Sequence, residues 1–232
     1  MKSLLNSLLL AGVLLFVGCA KDNVDPPSSN LTGRVIYQDQ TVGVRTNGVQ
    51  LEMWQYGYQL RNKIPVYVAQ DGSFSATVFD GNYKLVRLRD NGPWVNNTDS
   101  IDVQVRGNTV VDVPVQPYYT VQNATFQKTG NAITATCRVN RVVTSRNIES
   151  VTLFVSTTQF VDTNNGVPLT DAERARNTGN VLTGSALADL NKDLSLSFIL
   201  PATARSFCYA RVGVRTQGVS ELFYSPVQKI EF

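Results

Sequence analysis

Asp71-Gly72-Ser73-Phe74-Ser75-Ala76-Thr77-Val78-Phe79-Asp80-Gly81-Asn82-Tyr83-Lys84-Leu85 places two Asp-Gly pairs around a short run with one large aromatic near its start. Asp-Gly marks a tight turn, because glycine takes positive φ without a steric penalty and the aspartate can bond its own backbone. Between such turns Phe74 is expected to plug a core, and Gly81 to permit a bend before Tyr83 enters the next strand. The pattern continues outward on both sides. Leu31, Gly33, Val35 and Tyr37 alternate with polar residues, as do Val49, Leu51 and Met53, then Ile101, Val103 and Val105, then Val111, Val113 and Val115. Further turns fall at Asn91-Gly92 and Arg106-Gly107-Asn108. Period-two alternation over short runs predicts antiparallel strands, and many such strands without helical periodicity predict a sandwich or barrel.

A boundary is expected at Pro114-Val115-Gln116-Pro117, where two prolines interrupt strand pairing. Beyond Tyr118-Tyr119 the alternation resumes. Ile133, Ala135, Cys137 and Val139 share one face of a strand; Val151, Leu153 and Val155 line another; Leu194, Leu196, Phe198 and Leu200 a third; Cys208, Ala210, Val212 and Val214 a fourth. From Ser156 to Asp193 it lapses. There Thr170-Asp171-Ala172-Glu173 fits a capping box and predicts a short helix over Asp171 to Asn177. Asp162-Thr163-Asn164-Asn165-Gly166 lacks the ligand spacing and distal glutamate of a calcium loop and reads as a turn. The expected fold is all-β: two antiparallel sandwiches in tandem, residues 31–116 and 117–232.

Composition removes several function classes. The net charge is only +3, and the basic residues form no stripe, so nucleic acid is not an expected partner. Histidine is absent, which excludes a Ser-His-Asp triad, a Cys-His pair and imidazole metal ligation. No glycine-rich nucleotide loop or Cys-x-x-Cys motif occurs, and no cofactor is expected. Asp99, Asp102, Asp112, Asp162 and Glu173 are too scattered in sequence to nominate a catalytic pair. Cys137 and Cys208 lie on the apolar sides of their strands. They either stay free or form a disulfide across the second sandwich, contributing about 2–4 kcal/mol.

The N-terminus fixes an expected address. Met1-Lys2-Ser3 precedes an almost wholly apolar run from Leu4 to Val17, followed by Gly18-Cys19. A basic start and a short apolar run form a secretory signal, too short and wrongly flanked for a permanent span. Residues 1–18 with Cys19 resemble a bacterial lipobox, with Phe16 where such motifs usually carry leucine. That resemblance implies an acylated Cys19, each buried methylene contributing about 0.8 kcal/mol to membrane attachment. Cys19-Ala20-Lys21-Asp22-Asn23 is similar to the export signal of surface lipoproteins in Bacteroidetes. The Pro/Ser/Asn-rich remainder of residues 19–30 reads as a tether.

Leu31-Thr32-Gly33-Arg34-Val35 with the two Asp-Gly turns resembles the carboxypeptidase regulatory-like domain, a small transthyretin-like sandwich that is generally non-catalytic. Tyr209 to Gly218, with Tyr224-Ser225-Pro226-Val227, resembles the closing strands of a fibronectin type III or immunoglobulin-like domain. Together with Tyr56-Gly57-Tyr58 and Leu153-Phe154-Val155-Ser156-Thr157-Thr158, the layout resembles a Bacteroidetes family of two-domain surface lipoproteins, domain of unknown function 3823. The resemblance implies a polysaccharide-utilisation context beside a starch-utilisation-type transporter and its glycan-binding lipoprotein.

One segment offers a binding surface. If Val49, Leu51 and Met53 point inward, Gln50, Glu52, Trp54, Tyr56 and Tyr58 point outward. Flat aromatics beside hydrogen-bonding groups suit the apolar faces and hydroxyl rims of sugars. Trp94, in a turn-rich segment, is expected to add to this platform. The same aromatics would equally serve to pack against the second domain or a partner protein. Three readings follow: a non-catalytic glycan-binding surface lipoprotein, a structural or adhesion spacer docked to outer-membrane proteins, and a carboxylate-dependent glycoside hydrolase.

Overall fold

The computed structural model describes residues 25–57, 62–202 and 206–232; Cys19, most of the tether and Tyr58 lie outside the described residues. The chain forms two all-β domains, each built of two packed sheets. In the first, β1 (Ser29–Tyr37) pairs with β2 (Gln40–Thr41), β5 (Ser73–Val78), β8 (Asn108–Val110) and β9 (Val113–Pro114). The opposing sheet has the order β4 (Lys63–Tyr67), β3 (Gln50–Gln55), β6 (Gly81–Arg87), β7 (Ser100–Val105). Pairing is antiparallel except that β8 and β9 run parallel to β1. Alternation reveals which face a strand buries and says nothing of its direction, so these two pairings depart from the antiparallel expectation.

The quoted stretch behaves as its chemistry dictates. Gly72 sits at φ 86°, and the Asp71 carboxylate accepts from the backbone and hydroxyl of Ser73 at 3.0 and 2.7 Å. Phe74 is buried between the sheets. Asp80 accepts from the Ser29 hydroxyl and from Gly107 N, tying the start of β1 to the β7–β8 turn. Those bonds, the one from Ser29 first, hold its carboxyl below the usual range. Tyr83 is buried and donates its hydroxyl to Phe79 O at 2.8 Å.

The second domain packs β10 (Tyr119–Thr129), β11 (Ala132–Arg141) and β14 (Leu194–Ile199) against β12 (Ile148–Ser156), β13 (Val181–Thr183), β15 (Phe207–Thr216), β16 (Phe223–Tyr224) and β17 (Gln228–Glu231). Every apolar series read from the sequence of this half lies in its core. Full burial of a leucine or valine contributes about 1.5–3 kcal/mol, which is what drives the two sheets together.

The lapse in alternation after Ser156 contains α1 (Asp171–Arg176), with the expected capping box: Thr170 and Glu173 bond reciprocally at the helix start. Asn177 ends it. Its side-chain amide bonds both Ile199 N and Ile199 O, capping β14 as a strand would. The excursion also returns β13 to pair with the exposed edge of β12, a cover against edge-to-edge association.

The junction between the domains is closely knit. Phe223, from the second domain, belongs to the buried core of the first. Tyr224 N donates to Gly43 O at 3.0 Å, and Arg45 holds Glu221 with two bonds of 2.6 and 3.2 Å. Arg211, wholly buried, donates to Val44 O at 3.1 Å and lies 3.8 Å above the Tyr224 ring. Arg211 also reaches Gln70 O at 3.5 Å, and Asp162, itself buried, lies 3.9 Å away. Burial lowers the Arg211 guanidinium to about 10, so it remains charged at neutral pH. The Asp162 loop is a turn, as read: its carboxylate accepts from Asn164 N and the Asn165 side chain at 2.8 Å, and from Thr46 N of the first domain at 3.2 Å.

Candidate ligand-binding face

The outward face of the β4-β3-β6-β7 sheet carries the predicted aromatics. Register sets its rows. Lys63, Trp54, Lys84 and Asp102 lie side by side, with Pro65, Glu52, Val86 and Ser100 in the next row and Gln50 opposite Tyr67 beyond. On the other side Asn82 pairs with Gln104, and Tyr56 N bonds Asn82 O. Tyr56 is 49% exposed. Its hydroxyl donates to Asp102 at 3.0 Å, and the Lys84 ammonium sits 5.5 Å from its ring centre while bonding Asp102 at 3.1 Å. Hydrogen bonds from Lys84 and then Tyr56 keep the Asp102 carboxyl below its usual range. An open depression of about 530 Å³ lies beside Tyr56, bordered by Asn82, Asp102 and Gln104.

Trp54 is half-buried on this face, between Lys63 and Lys84. Glu52 shares its parity but is only 6% exposed. The expected exposed carboxylate is therefore corrected: Lys63, across on β4, bonds it at 2.5 Å, and Pro65 and Val86 flank it. Both cations of the face are thus taken by its own carboxylates.

Trp94 is likewise corrected. It is 4% exposed and belongs to the core of the first domain. The turn-rich segment pairs with the chain leaving the domain, through a bridge of Trp94 to Pro117 and Val95 N donating to Gln116 O, which folds the indole inward over Gly92. The disulfide reading is also overturned: Cys137 and Cys208 are free and buried. They sit in different sheets beside Leu194 and Ile230, and burial raises both thiols to about 11.

Sequence reading missed Tyr67, which is 53% exposed at the outer edge of β4. Lys63-Ile64-Pro65-Val66-Tyr67 does alternate, but the proline masks a short edge strand, a position where proline is tolerated.

These features define a two-domain all-β protein whose first domain presents an aromatic and amide-lined sheet face with internally neutralised charges. Residues 29–116 match the family described as "Protein of unknown function (DUF3823) N-terminal domain", and residues 119–229 match "Domain of unknown function (DUF3823_C)". The chain belongs to the DUF3823 family. Among solved structures it is similar to a DUF3823 family protein from Bacteroides ovatus, at 37% identity, with 88% of this chain and 98% of that one covered and a TM-score of 0.76. A DUF3823 family protein from Parabacteroides merdae is 36% identical, covers 89% and 100%, and gives a TM-score of 0.77. A Bacteroides uniformis protein described as a "putative carbohydrate binding protein" shares the fold at 20% identity, covering 89% and 100%, with a TM-score of 0.71. No curated protein matches the chain at a significant level.

Proposed function

We propose that the chain is a non-catalytic lipoprotein of the outer-membrane surface that binds glycan on the β4-β3-β6-β7 face. In this reading it is an accessory to a starch-utilisation-type transporter and its glycan-binding lipoprotein. The observation that carries it is Tyr56, exposed and held at a fixed tilt by Asp102 and Lys84 beside Trp54 and the amides of Asn82 and Gln104. A rigid aromatic loses little entropy on binding, and the neighbouring amides match sugar hydroxyls. Because Lys63 and Lys84 are paired within the face, an uncharged glycan is the expected ligand. The Bacteroides uniformis protein of the same fold, described as a "putative carbohydrate binding protein", supports the same class.

Affinity electrophoresis in gels containing neutral polysaccharides tests this. The mature chain is expected to be retarded by at least one of them, with Trp54→Ala abolishing retardation and Tyr56→Ala weakening binding about tenfold. Migration unaffected by every polysaccharide defeats the reading. It would favour instead a spacer docked to outer-membrane proteins, which the closely knit domain junction would suit.

The address is tested separately. Cells grown with a clickable palmitate should label the wild-type chain and leave Cys19→Ser unlabelled. An unlabelled wild-type chain removes the anchor from the proposal.

A further inference from the structure

The other sheet of the first domain carries a second surface unlike its surroundings. Across β5, β1 and β8, the outward row Ser75, Thr32 and Val110 is followed by Ser73 and Arg34. Val110, in the midst of these polar residues, is 76% exposed, the highest value for a large apolar side chain among the described residues. A groove of about 500 Å³ runs along this surface, lined by Tyr67 as well as Val110. Its lining is apolar at Tyr67 and Val110 and rich in hydroxyls at Thr32, Ser73 and Ser75.

The groove offers no free charge. Arg34 is the one ionised side chain in its lining, and Asp112 holds its guanidinium with bonds of 2.6 and 3.2 Å. A phosphorylated or acidic ligand would need a free cation there, and a packed helix would need a broad apolar surface. Alternating apolar contact and hydroxyls with no net charge suits the ring faces and hydroxyl rims of a sugar chain. Tyr67 also stands in register with Gln50 at the end of the Trp54 and Tyr56 face, so one side chain borders both surfaces.

We infer that the groove between Tyr67 and Val110 is a second carbohydrate subsite, taking an uncharged glycan. This rests on the glycan-binding reading above and adds a second site to it. A polymer engaging both surfaces gains from effective concentration without any new contact.

The test is calorimetric titration of the mature chain with a neutral polysaccharide that retards it, and with a short oligosaccharide cut from that polymer. The wild type is expected to take two oligosaccharides per chain, and Tyr67→Ala/Val110→Ser only one, with about three- to tenfold weaker polymer binding. Both positions are exposed, and an unchanged melting temperature would show the double variant folded. A wild-type stoichiometry of one, or polymer and oligosaccharide binding unaltered in the double variant, overturns the second subsite and leaves the Trp54 face intact. A wild type that binds none of the polysaccharides overturns both.

Discussion

Arg211→Met is expected to lower the unfolding free energy by about 3–5 kcal/mol, the usual cost of stripping one partner from a buried ion pair. Three losses combine. The Val44 carbonyl loses its donor, the Tyr224 ring loses the cation 3.8 Å away, and Asp162, 1% exposed, keeps a carboxylate with only the more distant Arg45 to offset it. Methionine fills much of the volume, so the effect reports charge and hydrogen bonding more than a cavity. For a chain of this size the melting temperature should fall by about 6–20 °C. Asp162→Asn in the same background removes the buried charge and keeps an acceptor oxygen for Asn164 N and the Asn165 side chain, at the cost of the acceptor for Thr46 N, and should restore about 1 kcal/mol. A urea midpoint for Arg211→Met within experimental scatter of wild type would show that the junction does not depend on this group.

Gly33→Ala is expected to be about as damaging, at about 3 kcal/mol or more. An added Cβ would lie 1.8 Å from Val111 O and 2.6 Å from the tip of the Phe74 ring. The aromatic tip can swing; the backbone beside it is held, because Val111 N is bonded to Thr32 O at 2.9 Å. Relief requires β1 to part from the strand beside it. Gly130→Ala is the control, since that glycine has φ 59° and open space around it, and only the conformational cost of about 1–2 kcal/mol remains. If both substitutions shift the urea midpoint equally, the crowding at Gly33 has been misjudged.

Much of this architecture was written in the alternation. Cys137 with its neighbours and Cys208 with its neighbours fell on the core side because one face of each strand meets the opposing sheet. The helix was legible because its cap is local chemistry within Thr170 to Glu173. What escaped depends on distant partners. Arg211 has the parity of a solvent-facing residue, and nothing nearby in sequence announces that the first domain covers that face. Glu52 was placed on the correct side, but its burial is decided by Lys63 on another strand. Trp94 was misjudged because a turn-rich neighbourhood suggests exposure, whereas a bridge to Pro117 turns the ring inward. Tyr56 was found because it continues a clear alternation; Tyr67 was not, because its strand is short and holds a proline.

Phe223 has a bearing on biosynthesis. The nascent first module leaves the ribosome long before the residue that completes its interior, which lies more than a hundred residues downstream within the second domain. Until Phe223 has been synthesised, the early strands can pair but their apolar filling stays unfinished. Final consolidation of the first half therefore waits for synthesis of the second, and a deletion that removes Phe223 should harm the N-terminal half as well.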